Sequence, residues 1–197
     1  MQPAFSFLST DFEGRICPER IRDVAQSATA ELAARMLRAP SALMQLTQDE
    51  ALAVVACMQP LRIADGETFI REGDKDDTGF MLLILEGDVT VESAIASREQ
   101  PITVSILGPG NLIGDIGLID GSARSASCTA MTDLRCAKLT RDALNQLLDE
   151  DPRTAAKLMM AISHRIAQRM RANHDRLKLY SQLTLAMNEE MTELMPF

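Results

Sequence analysis

Thirteen residues, Gly114 to Ala126 (GDIGLIDGSARSA), concentrate most of the chemistry this chain can offer. Glycines at 114, 117 and 121 let the backbone turn its N–H groups towards an anion. Arg124 is a planar cation able to clamp the same anion through two parallel hydrogen bonds. Asp115 adds an acceptor suited to sugar hydroxyls, and Ser125 adds a hydroxyl donor. Phosphate donors beside a hydroxyl acceptor describe a site for a small nucleotide held without a metal. A plainer reading stays open: the glycines make ordinary turns, and Arg124 forms a weak surface pair with Asp115 or Asp120.

Other candidate groups carry less. His164 and His174 lie ten residues apart, about 15 Å along a helix and on different faces, so they cannot share a metal. Asp74, Asp76 and Asp77 sit in a turn without the full calcium-loop pattern. There is no nucleophile–base pair, Walker loop or dinucleotide fingerprint. The expectation is a binding protein, not an enzyme, with no metal and no cofactor.

The flanking pattern indicates what positions the site. Residues 18–38 carry apolar positions at helical spacing, with Pro18 in a first turn and Pro40 as a stop. Thr47 and Glu50 form a capping-box signature for a second helix that ends before Pro60. From Leu61 to Thr140 the grammar turns to strands: ETFIR, FMLLIL, VTVES, ITVSIL, SASCTAM and RCAKL, separated by Gly, Pro and Asp. Val89/Val91 and Ile102/Val104/Ile106 alternate as half-buried strands do, whereas FMLLIL is apolar on both faces. Such spacing predicts an antiparallel sandwich or barrel, hence an α+β fold with flanking helices. Thr140 is the expected N-cap of a following helix, and Pro152 separates two helices. The second is expected from near Arg153 to about Glu193. Ala156, Met159, Ser163, Ile166, Met170, Asn173, Leu177, Tyr180, Thr184, Met187 and Met191 form an unbroken 4-3 stripe, the seam of a helical pair. The seam predicts a homodimer, with packing on the chain's own strands as the alternative.

Composition narrows the partners. The 197 residues carry 46% apolar and 24% charged side chains and a net charge of −8. That charge repels phosphate backbones, so direct nucleic-acid binding is not expected. One local arginine still outweighs a distant, screened net charge for a ligand with one phosphate. The N-terminus lacks a basic n-region, and no apolar run can span a bilayer. Cys17, Cys57, Cys128 and Cys136 are scattered, which points to a reducing cytoplasm.

The stretch from Gly114 to Ala126 resembles the phosphate-binding cassette of the cyclic nucleotide-binding domain family, found in catabolite activators and protein kinase regulatory subunits. It matches at Gly114, Ile116, Gly117, Leu118, Arg124, Ser125 and Ala126, and departs at Asp115, where the family usually has Glu. FIREGDKDDTGFMLLILEGDVTVES resembles the early strands, with Gly73-Asp74, Gly79 and Gly87 at turns. The resemblance runs from about Leu43 to about Arg171. It implies an antiparallel, jelly-roll-like β-roll flanked by N-terminal helices and a long C-terminal helix. Three parts follow: an arm (1–40), a nucleotide-binding domain (41–171) and a helix extension (172–197). It implies that Arg124 meets the cyclic phosphate and Asp115 the ribose hydroxyl. Arg169 stands, with Met170, where the activators carry a base-contacting Thr-Ser pair; Arg169, with Arg165 or Asn173, is the expected base contact. Ser125 favours cAMP over cGMP. The function implied is a sensor signalling to a protein effector; the alternative is a dimeric scaffold with a degenerate pocket. Activators append a DNA-binding domain of about 60–70 residues, whereas 26 residues follow Arg171 here.

Overall fold

The computed structural model describes residues 27–38, 46–93 and 102–194, with side chains to residue 187 and none for 102 and 103. Of the helix expected over 18–38, Ala28–Leu37 is seen as α1; residues 18–26, Cys17 and the rest of the arm lie outside the described residues. Helix α2 spans Gln48–Ala56 and starts with the expected capping box. Glu50 N–H donates to Thr47 Oγ1, and Thr47 N–H donates to Glu50 Oε2.

Eight strands follow among the described residues: β1 (Gln59–Ile63), β2 (Thr68–Ile70), β3 (Phe80–Glu86), β4 (Val89–Ser93), β5 (Ile102–Leu107), β6 (Leu112–Ile113), β7 (Ser127–Ala130) and β8 (Leu134–Thr140). They form two four-stranded antiparallel sheets, ordered β1-β8-β3-β6 and β2-β7-β4-β5. Pro60 is tolerated because β1 is an edge strand. Helix α3 (Asp115–Asp120) interrupts the strands after β6. This is the expected α+β roll.

The core lies between the sheets. Ile63, Phe80, Leu82, Ile84, Leu134 and Cys136 from one sheet meet Ile70, Val89, Cys128 and Ala130 from the other. Strand β3 is apolar from Phe80 to Leu85 because both its faces are covered there, and it ends on the exposed Glu86. Phe80, Leu82 and Ile84 point into the roll, while Met81, Leu83 and Leu85 are buried on the opposite face, with α1 packed on the strand. One alternation points the other way from expectation. Val104 and Ile106 are exposed, because the buried Val89 pairs with Leu107, and this register turns Leu107 towards the core and Ile106 away from it.

Thr140 caps α4 (Arg141–Glu150), its Oγ1 accepting from Ala143 N–H. Asp151 then accepts from Thr154 N–H and starts α5 (Pro152–Leu194), with Pro152 at the first helical position. The chain divides into two units, one through Ala161 and one from Ile162 onward. Among the described residues the second is the remainder of α5, to Leu194. Met170, Leu177, Tyr180 and Met187 of the expected stripe are exposed there, as are Leu179, Leu183 and Leu185 off it.

Candidate functional site

Helix α3 is bracketed by two glycines in the left-handed region, Gly114 at φ 79° and Gly121 at φ 67°. Left-handed geometry at both ends lets the chain enter and leave a six-residue helix abruptly. Leu118 N–H donates to Gly114 O at 3.1 Å, and Gly121 N–H to Gly117 O at 3.0 Å. Asp115 is buried in the first turn, where a carboxylate suits the helix dipole, and its Oδ1 accepts from Ile116 N–H.

Arg124 is 7% exposed. Its backbone is tied to the 73–74 turn: Arg124 N–H donates to Asp74 O, and Gly73 N–H to Arg124 O. Its guanidinium reaches three main-chain carbonyls. Nη1 donates to Phe80 O and Gly114 O, both at 3.3 Å; Nη2 donates to Asp77 O at 3.2 Å and Phe80 O at 3.3 Å. Cζ lies 4.3 Å from the centroid of the Phe80 ring. Burial draws the Arg124 pKa down, opposed by Asp77, Cys128 and Asp74; a guanidinium stays charged regardless. The surface pair with Asp115 or Asp120 is therefore corrected: Arg124 lies inside, on carbonyls.

That placement explains two cassette glycines in steric terms. A Cβ at Gly114 would stand 2.8 Å from Arg124 Nη1 and 2.9 Å from Phe80 O. A Cβ at Gly117 would stand 2.7 Å from both Nη1 and Thr78 O. The small residues leave room for the arginine beneath α3, a role the reading of glycine as an anion nest did not include.

Arg124 also lines a cavity of about 250 Å³ inside the first unit. Its apolar walls come from β1, β2 and β3, through residues such as Leu61, Phe69, Phe80 and Leu82; Arg62, Glu67, Asp74, Asp76, Asp77 and Lys138 supply charge. Of the nine predicted site residues, Arg124 alone is among these walls. Gly114 and Gly117 contact its guanidinium. Leu118 is buried, Ile116 and Ser125 are exposed, and Ala126 is half-buried. Arg169 lies on α5 in the second unit.

Three residues near the site escaped the sequence reading. Lys138 Nζ stands 3.5 Å from Asp77 Oδ2 and 4.1 Å from the Phe80 centroid. Arg141 donates to the Gly117 and Leu118 carbonyls. Thr78 is buried, and its hydroxyl donates to Gly121 O at 3.0 Å. For Lys138 a signal existed: Leu134, Cys136 and Lys138 share one face of LRCAKLT. For Arg141 and Thr78 none did, since their partners are distant in sequence. Among the described residues no His, Cys, Asp and Glu cluster is placed to hold a metal ion. No helix there is long and apolar enough to cross a membrane.

A two-sheet roll whose strands are interrupted by a glycine-bracketed helix over a buried arginine is a recognisable class of ligand-binding domain. Residues 60–151 of the chain match the family described as cyclic nucleotide-binding domain. The chain is 28% identical over 128 residues to a CRP-like cAMP-activated global transcriptional regulator of Mycobacterium tuberculosis, a match covering 64% of this chain and 52% of the regulator. It is 30% identical over 127 residues to cGMP-dependent protein kinase 2 of Mus musculus, covering 64% of this chain and 16% of the kinase. The chain thus spans about half or less of these relatives. Among solved structures, a cyclic nucleotide-binding domain from Methylobacillus flagellatus is similar at a TM-score of 0.66 and 29% identity, covering 76% of this chain and 83% of that one.

Proposed function

We propose that this protein is a regulatory sensor that binds a cyclic purine nucleotide, cAMP or cGMP, and passes the signal through its helices to a partner protein. The observation that carries the reading is Arg124, a buried cation that lines a cavity and touches the cassette helix. A cyclic phosphate offers this guanidinium two anionic oxygens in place of neutral carbonyls, and charge-assisted hydrogen bonds are the stronger kind. The carbonyls that Arg124 would release belong to Gly114, Phe80 and Asp77. Ligand binding then alters what holds α3 and the 74–77 loop, the differential contact that a ligand-driven switch needs. Asp115 is assigned to the ribose hydroxyl, and Arg169, with Arg165 or Asn173, to the base. Ser125 favours cAMP. The exposed apolar positions of α5 support a homodimer seam, and the scattered cysteines a cytoplasmic location. The activity is binding and signalling, without catalysis, metal or cofactor.

A second reading, a dimeric scaffold with a degenerate pocket, draws on one observation. Arg124 already meets three of the protein's own carbonyls. Calorimetry and thermal shift with cAMP, cGMP and cyclic di-GMP separate the two. At about 100 times its dissociation constant, a true ligand adds about 2.7 kcal/mol of stability. Arg124→Ala should weaken that ligand by about 30-fold or more while leaving the roll folded. A flat response to all three nucleotides favours the scaffold; unchanged affinity in Arg124→Ala removes the assigned site.

A further inference from the structure

Lys138 stands on the core face of β8. Its neighbours at alternate positions, Leu134 and Cys136, are buried in the core between the sheets, and its cross-strand partner on β3 is Leu82, also in that core. Strand alternation therefore aims a lysine at the interior of the roll. An ammonium there is unfavourable unless something compensates it. Here the compensation is the Phe80 ring, the Asp77 carboxylate at 3.5 Å and partial access to water, the side chain being 23% exposed. The same ring carries the Arg124 guanidinium, and both cations line one cavity, which the exposed Arg62 of β1 also borders. The cassette accounts for one of these charges. Nothing in it accounts for the other.

We propose that Lys138 is a second anion contact of this pocket, and that Asp77 competes with the ligand's phosphate for it. The proposal rests on the nucleotide reading given above and adds a ligand-binding residue outside the cassette. Asp77 is the described non-glycine residue with positive φ, at 46°. From that one position its carbonyl accepts from Arg124 and its carboxylate faces Lys138, so a single loop residue engages both cations. The Asp77 side chain is 77% exposed, so water screens its hold on the lysine. A phosphate inside the cavity is less screened and faces both cations at once. It displaces the carboxylate, and Lys138 moves from an internal partner to the ligand.

Calorimetry on the full chain with cAMP and with cGMP tests this, using Lys138→Met, Lys138→Gln, Lys138→Arg, Asp77→Asn and the double variant Asp77→Asn/Lys138→Met, with Arg124→Ala as reference. Lys138→Met and Lys138→Gln should each weaken binding about tenfold, and Lys138→Arg should recover most of it. The dependence of affinity on salt should become shallower in the Met and Gln variants, because one cation is gone. Asp77→Asn should tighten binding about threefold, and that gain should vanish in the double variant, a coupling that a merely structural lysine does not produce. Wild-type affinity in both neutral Lys138 variants overturns the proposal and leaves the nucleotide site standing. Asp77→Asn that weakens binding, or tightens it equally without Lys138, also overturns it. A wild-type chain that binds neither nucleotide overturns the nucleotide reading together with the proposal.

Discussion

Arg141 Nη2 donates to the carbonyl of Gly117 at 2.7 Å, so the first residue of α4 holds the cassette helix from its C-terminal side. Its Nε donates to Leu118 O at 3.1 Å, and its own N–H donates to Gly79 O at 2.7 Å. Carbonyls at a helix C-terminus carry partial negative charge, and a guanidinium there satisfies both the charge and the hydrogen bonds. Arg124 contacts the other end of α3 through Gly114 O. The six-residue helix is therefore held between two arginines, one lining the cavity and one leading into α4.

Removing the second of these should be measurable. Arg141→Ala loses two hydrogen bonds from a charged donor and should destabilise the roll by about 2 kcal/mol, discounted for partial exposure. Arg141→Lys should fall between, since an ammonium cannot reproduce the planar fork. Urea denaturation monitored by circular dichroism gives the values. Wild-type stability in Arg141→Ala would show that α3 is held by other contacts.

Gly117→Ala sets two effects of opposite sign against each other. Alanine is the better helix former by about 1 kcal/mol, and no positive φ is recorded at Gly117. Against this, its Cβ would meet Arg124 Nη1 and the main-chain Thr78 O at 2.7 Å each. The side chain can move but the carbonyl is backbone, and overpacking of this kind costs about 1–3 kcal/mol. The clash wins, so the variant should be less stable than wild type and should bind nucleotide more weakly. Gly66→Ala meets nothing within 4 Å and carries strain from φ 76° alone, so it should lower stability without altering affinity. Equal affinity in the two variants would refute this account of the cassette glycine.

What was legible in the sequence was local. The Thr47–Glu50 box, the Thr140 cap and the helix after Pro152 depend on residues within a few positions of each other, and all three are present. The continuous apolar run of β3 showed a strand covered on both faces. The cassette arginine was legible as a cation but not by its acceptors, because Asp77 and Phe80 lie 47 and 44 positions away. Strand direction failed at β5, where Val104 and Ile106 face outward: alternation shows that two faces differ, and cross-strand register decides which is inside. Lys138 was passed over for a related reason. A lone charge in a strand reads as solvent-facing unless its alternate neighbours are weighed with it.

The buried thiols offer a separate check on the core. Burial pushes Cys128 up to about 11, partly opposed by Arg124, and Cys136 up to about 12. Both should resist alkylation at pH 8 in the folded protein and react once it unfolds, as read by mass spectrometry after timed labelling. Because the folded-state values are raised, the thiols favour folding fully below the ordinary thiol value of 9.0, and this contribution declines as pH rises from there through 11–12. Rapid native-state labelling of Cys128 would contradict the packing around Arg124.

Glu50 links the start of α2 to the start of α5. One carboxylate oxygen accepts from Thr47 N–H at 2.9 Å, and the other accepts from Lys157 Nζ. The Lys157 hydrogen bond, reinforced by the Thr47 backbone, holds the Glu50 pKa below its ordinary 4.5. A lowered carboxylate pKa contributes stability above the unfolded value and loses it as pH falls through the folded one. Asp151, drawn below its ordinary 3.8 chiefly by Thr154, behaves in the same sense. Glu50→Gln keeps an acceptor for Thr47 N–H but removes the charge opposite Lys157. The stability gap between wild type and Glu50→Gln should therefore be widest above about pH 4.5 and close as pH falls further. Denaturation curves at pH 7, 5, 4 and 3 measure it, and a gap that stays constant with pH would show that Glu50 acts through its capping hydrogen bond alone.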